Sequence, residues 1–263
     1  MNASEVAAAT ALILTLGILL ETVELIRARH QLCRLFDVKM VRLLLRFSHE
    51  AKAARMLRQP GSLGLFLVLR MLAAVATVFF FAYQIPLALV STAVVVGITY
   101  LKQYRLPLGG TGAQMMQRFI WVSLFLFALA QGSIAETAAL GFIAFQGLFA
   151  YFMAGLSKLR VSSWRDGTAV GQVVATQVYG TSFTMTLPYG WASPFLTYST
   201  LVFEIAGPFL ILLGVEATLV FLAMALLFHI SVAVVSGLTA FVFAFPATYP
   251  AIIWIVVQAP LWV

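Results

Sequence analysis

Four ionisable residues interrupt otherwise apolar stretches of this chain: Arg70, Lys158, Glu204 and His229. A charge surrounded by hydrocarbon is costly, so each marks a functional position unless packing accounts for it. Glu204 sits at the centre of Thr200-Leu-Val-Phe-Glu-Ile-Ala-Gly-Pro. A carboxylate in that setting must be either partnered or protonated. His229 lies in the middle of an apolar run. Its plain alternative role is an interhelical hydrogen bond, worth about 1 kcal/mol. Arg70 and Lys158 have long stems, and their plain alternative is to snorkel to an interface. Lys158, Glu204 and His229 are therefore functional-site candidates. Other chemistries lack their residues. The chain has no Walker A lysine, dinucleotide GxGxxG, CxxC, HExxH or GxSxG motif, and His30, His49 and His229 lack the spacing of a haem or di-metal site, so no metal is expected. Gly109-Gly-Thr-Gly has no following lysine and reads as a loop rather than a phosphate cradle.

The elements that carry these residues must cross a membrane. The chain of 263 residues is 62% hydrophobic and 10% charged, with a mean hydropathy of +1.02. Soluble domains are nearer 45–50% apolar and about 25% charged. This composition excludes a soluble enzyme, a disulfide scaffold (Cys33 is the sole cysteine) and a disordered tail. Taking about 20 apolar residues per span, the spans fall at 7–26, 63–83, a shorter 87–101, 119–133, 138–156, 195–213, 217–235 and 238 to the end. The expected fold is therefore an all-α polytopic bundle of about eight transmembrane helices. The first stretch lacks a basic leading segment and is read as a membrane helix rather than a signal peptide. Gln84, Ile85 and Pro86 should break the chain between the second and third spans, and Pro246 and Pro250 should kink or split the last. Residues 1–62 form an N-terminal helix and basic arm, and residues 63–263 form the main membrane domain.

The net charge of +7 resides in one segment. Between Arg27 and Arg58 there are nine basic residues against Asp37 and Glu50. A basic segment beside membrane spans marks the cytoplasmic side and contacts anionic lipid or a partner protein, not nucleic acid. Within it, residues 31–47 place Leu32, Phe36, Met40, Leu43 and Phe47 on one helical face, with Lys39, Arg42 and Arg46 in a basic stripe. That pattern predicts an amphipathic helix lying in the headgroup region. Lys102, Arg105 and Arg118 then fall on the same side, and the N-terminus lies outside. Roughly 37 residues link the fifth and sixth spans, with Trp164, Tyr189 and Trp191 as interfacial rings. A connection of that length is expected to be functional and to cover a cavity reaching Glu204 and His229.

Tyr151-Phe-Met-Ala-Gly-Leu-Ser-Lys-Leu, followed by Trp164-Arg-Asp-Gly-Thr-Ala, resembles the HTTM family, the membrane domain shared with vitamin K-dependent gamma-carboxylase. Arg70 matches the arginine of that family's opening helix, and Gly110-Thr-Gly-Ala-Gln-Met resembles a degraded form of its Asp-Gly-Ser-Asp-Gln-Met loop. The Glu204–Pro208 helix and Phe228-His229 with Gly237 and Phe241 complete the likeness, which covers residues 63–250. The resemblance implies a lipid- or quinone-accessible pocket around Lys158, Glu204 and His229, with Tyr151, Trp164, Gly167 and Arg70 contacting a substrate or a quinone/hydroquinone cofactor. It implies that Lys158 is the base, since a lysine in apolar surroundings can shed its proton. It also implies a bacterial inner-membrane protein that modifies a peptide or lipid. The absent acidic loop and the absent extramembrane domain argue against glutamate carboxylation. They leave a non-catalytic subunit, docking through its basic arm, as the alternative.

Overall fold

The computed structural model describes residues 1–35, 60–105, 111–130, 132–176, 190 and 192–258. Among these the chain is helical, with no strand. It is an all-α polytopic membrane protein. Among the described residues, seven helices are long and apolar enough to cross a bilayer, and one shorter apolar helix accompanies them. Two compact units divide between Leu140 and Gly141.

In the first unit α1 covers Ala3–Leu35, α2 Pro60–Ala82, α3 Ala88–Arg105 and α4 Gly112–Leu129. The start of α1 is set by a reciprocal cap. The Asn2 side chain accepts from the Glu5 amide at 2.8 Å, and the Glu5 carboxylate accepts from the Asn2 amide at 2.9 Å. At about 1.5 Å per residue, this 33-residue helix is about 50 Å long, well beyond the about 30 Å of hydrocarbon. Each helix packs on the next in sequence, and α1 also reaches α4. Polar side chains join them. Thr15 Oγ1 donates to Ala11 O in its own helix at 2.7 Å and lies 3.3 Å from Ala74 O of α2. Thr77 Oγ1 of α2 donates to Ser91 Oγ of α3 at 2.8 Å. Between α2 and α3 the expected break is present, with Gln84 at φ 53°. Asn, Asp and His adopt such a φ more readily than other non-glycine residues, and here the following Pro86 leaves little room to extend the helix.

Thr111 and Gly112, at the end of the glycine-rich stretch, open α4. Thr111 caps α4, accepting from the Gln114 amide at 3.3 Å, while the Gln114 side chain accepts from the Thr111 amide at 3.3 Å. This capping box explains Thr111 and Gln114 without a phosphate. The amphipathic helix expected over 31–47 lies outside the described residues from Phe36 onward; residues 31–35 form the last turns of α1.

The second unit takes over within α5 (Ile134–Leu159) and continues through two short helices, α6 (Ser162–Arg165) and α7 (Ala169–Val174). Next come α8 (Ala192–Ala206), a 3₁₀ segment (Gly207–Leu213), α9 (Val215–Ser236), α10 (Phe241–Ala244), a 3₁₀ turn (Pro246–Thr248) and α11 (Tyr249–Gln258). The prolines act as their chemistry requires. Pro208 stands at the start of the 3₁₀ segment and Pro246 splits the last span. Side chains such as Leu65, Phe79, Val202, Leu227 and Val234 are more than half exposed. On a soluble protein that would be an aggregating surface, but in a bilayer it faces the solvent it matches.

Candidate functional site

Tyr151, Gly155 and Lys158 are spaced four and three apart on α5, so they lie on one face of the helix. Gly155 allows the close approach that this face needs. A Cβ there would stand 2.5 Å from Ile205 Cγ1 and 3.1 Å from Glu204 Cβ. With no side chain at 155, α8 lies against α5 and Glu204 comes within reach one turn further along. Lys158 Nζ then donates to both carboxylate oxygens of Glu204, each at 2.5 Å. Glu204 is 3% exposed. The Trp164 ring of α6 lies over the amine, with its centroid 5.2 Å away, a cation–π contact.

A second polar group stands on the same face of α5. Tyr151 Oη is 2.7 Å from His229 Nε2 on α9 and 3.2 Å from Tyr249 Oη on α11. Tyr151 and His229 are 2% exposed. The rings of Phe203, Phe221 and Phe245 pack around Tyr151 at 5.1–5.7 Å, and Phe245 lies 4.5 Å from the His229 ring. His229 Nδ1 has no hydrogen-bond partner among the described residues. Two phenols and an imidazole in series can relay a proton, because each hydroxyl both donates and accepts. Tyr151 lies within electrostatic range of Glu204, and His229 within range of Lys158.

The Trp164-Arg-Asp-Gly-Thr-Ala segment is fastened to this group from outside the spans. Gly167 has φ 79°, and a Cβ there would stand 3.1 Å from Pro194 and 3.2 Å from the Tyr198 ring. Only glycine suits both the angle and the contact. Ser193 Oγ donates to Gly167 O at 3.1 Å and accepts from the Gly171 amide at 3.1 Å, while Thr197 Oγ1 accepts from the Val170 amide at 3.2 Å. Tyr198 Oη donates to Arg165 O at 3.0 Å. Asp166 closes the turn, its carboxylate accepting from the Thr168 hydroxyl at 2.6 Å and amide at 3.0 Å. Those two bonds hold its carboxyl below the usual range.

Tyr151, Lys158, Trp164, Glu204 and His229 are therefore gathered in one unit, with Gly167 shaping the turn beside them. Arg70 belongs to the first unit, where it is paired with Glu21 of α1 at 2.6 Å. Lys39, Arg42 and Arg46 lie outside the described residues, as do Tyr189 and Trp191 of the long connection. Among the described residues no three His, Cys, Asp or Glu side chains stand close enough to hold a metal. Sequence reasoning passed over Tyr249, Gly155, Ser193 and Thr197. Tyr249 left a signal, a phenol placed in an apolar run beside a proline. Gly155 left none, because a helical glycine is defined by its neighbour across the interface.

No protein-family model, curated protein or solved structure matches this chain.

Proposed function

We propose that this chain is a bacterial inner-membrane protein of the HTTM type whose second unit moves a proton to or from a lipid-soluble substrate, and so modifies a quinone, a lipid or a membrane-bound peptide. The observation that carries this reading is the pairing of Lys158 with Glu204, with Tyr151 on the same face of α5 joining His229 of α9 to Tyr249 of α11. Transfer of one proton along the Lys158–Glu204 bond yields a neutral amine and a carboxylic acid. The amine can then take an O–H proton from a hydroquinone-like substrate, leaving the substrate anion beside a restored ammonium. The Trp164 ring lies beside that amine. The relay through Tyr151 gives the proton a way onward.

A second reading has an observation of its own. The amine is closed on both oxygens of Glu204, the geometry of a completed interhelical ion pair. On that account the chain is a non-catalytic subunit that docks a partner through residues 27–58. Lys158→Arg separates the two, because arginine keeps the charge and the pair but does not become a neutral base. The proton-transfer reading expects Lys158→Arg to insert normally, to retain bound quinone or lipid in native mass spectrometry, and to lose the wild-type gene's phenotype. A general base is worth about 10²–10⁴ in rate. Full complementation by Lys158→Arg, with loss on deleting residues 36–58, establishes the docking subunit instead.

A further inference from the structure

The first unit contains a charge imbalance that the Lys158 centre does not use. Among the described residues, Glu21 of α1 is the carboxylate that pairs with Arg70 and Lys102. Arg70 of α2 donates to it at 2.6 Å, Lys102 of α3 pairs with its other oxygen, and Arg118 of α4 lines the same cavity as Lys102. Arg118 pairs with no carboxylate among the described residues. Arg70 is 1% exposed, and its Nε finds no hydrogen-bond partner among them. One negative charge thus answers three positive ones in a partly desolvated setting, where unpaired charge is strongly disfavoured.

A cavity adjoins this cluster. It has a volume of about 60 Å³ and is lined by Glu21, Lys102, Arg118 and the side-chain amides of Gln103, Gln114 and Gln117, with Leu25 and Thr99 completing it. A single water needs about 10–15 Å³ on the same measure, so the space admits a group of several heavy atoms. Two ammonium or guanidinium groups and three carboxamides supply many N–H donors around it. Lys102 stands in the last turn of α3, and Arg118 in the second turn of α4. Both therefore lie near helix ends, at the depth of lipid headgroups rather than of acyl chains.

We propose that this cavity is an anion site for a phosphate group, held by Lys102, Arg118 and the glutamine amides, while the Glu21 carboxylate, which also lines it, is taken up by Arg70 and Lys102. The phosphate neutralises the surplus charge and ties α1, α3 and α4 together. Its two sources are the headgroup of an anionic phospholipid and a soluble phosphate. The site lies wholly in the first unit and is independent of the proton chemistry proposed for Lys158.

The test uses the full chain purified in mild detergent and stripped of lipid, with two variants, Arg118→Gln and Gln117→Leu. Arg160→Gln, an exposed change of equal charge in the second unit, serves as the control. In one arm, phosphatidylglycerol or phosphatidylcholine is titrated and bound lipid is counted by native mass spectrometry. In the other, inorganic phosphate is titrated against sulfate-free protein and thermal stability is followed. Retention of phosphatidylglycerol over phosphatidylcholine, weakened about tenfold in Arg118→Gln but unchanged in Arg160→Gln, establishes the site with a lipid as its source. Stabilisation by inorganic phosphate that Arg118→Gln loses, without lipid selectivity, establishes it with a soluble source. If Arg118→Gln does not fold, Gln117→Leu carries the same comparison. Lipid or phosphate effects that are equal in wild type, both site variants and the control overturn the proposal.

Discussion

At the scale of single residues, the side chains in the spans fall into two classes by what they contact. Lys158 and Glu204 neutralise each other, so removing either one leaves an uncompensated charge; removing both together costs less. Glu204→Gln is expected to destabilise the detergent-solubilised protein by about 3–5 kcal/mol, and Lys158→Met/Glu204→Leu by clearly less. A double-mutant cycle from unfolding midpoints measures this, and losses that simply add in the double variant would show that no pair exists. Tyr151 is held by hydrogen bonding and packing instead. Its hydroxyl is shared by His229 and Tyr249, so Tyr151→Phe removes two contacts without opening a cavity. A loss of about 1–2 kcal/mol is expected, typical of hydrogen bonds between membrane helices. A variant as stable as wild type would show that the phenol–imidazole chain does not form.

At the scale of elements, the closeness of α5 and α8 depends on a missing methyl group. A Cβ on residue 155 would overlap Ile205 at 2.5 Å and press on Glu204. Gly155→Ala is therefore expected to lose about 1–3 kcal/mol through overpacking, even though alanine is the better helix former. It should also separate Lys158 from Glu204, so that Glu204→Gln costs less in the Gly155→Ala background. Additive losses in that cycle would place the ion pair outside the influence of Gly155. α4 depends on its first turn. Thr111→Ala removes one half of the capping box with Gln114, with an expected loss of about 1 kcal/mol in thermal unfolding. The last span shows the same dependence in reverse, since Pro246 interrupts the helix and sets Thr248 against Gly147.

At the scale of the whole molecule, the side of the membrane on which each helix end emerges depends on α3. Its 18 residues reach about 27 Å, just short of the hydrocarbon thickness. If α3 crosses, the basic stretch at 27–58 and the turn carrying Ser162 share the cytoplasmic side. Lys52→Cys and Ser162→Cys, each in a Cys33→Ser background, should then both resist a membrane-impermeant thiol reagent applied to intact cells. Labelling of Ser162→Cys alone would mean that the number of crossings between the two positions is odd. The sequence by itself determined the membrane class, the positions of the spans and the breaks at Pro86 and Pro246, because apolar runs of bilayer length and proline's missing donor act locally. It also singled out Lys158, Glu204 and His229, since a charge in hydrocarbon stands out whatever surrounds it. Only the tertiary structure decided which charges meet. Arg70, which the family resemblance made a substrate contact, is paired with Glu21 of α1. Tyr249 joins Tyr151 from 98 positions away, and Gly155 matters through a neighbour on another helix. Pairings of this kind depend on which helix faces lie together, and an apolar helix with little amphipathicity does not record its facing partner in its own periodicity.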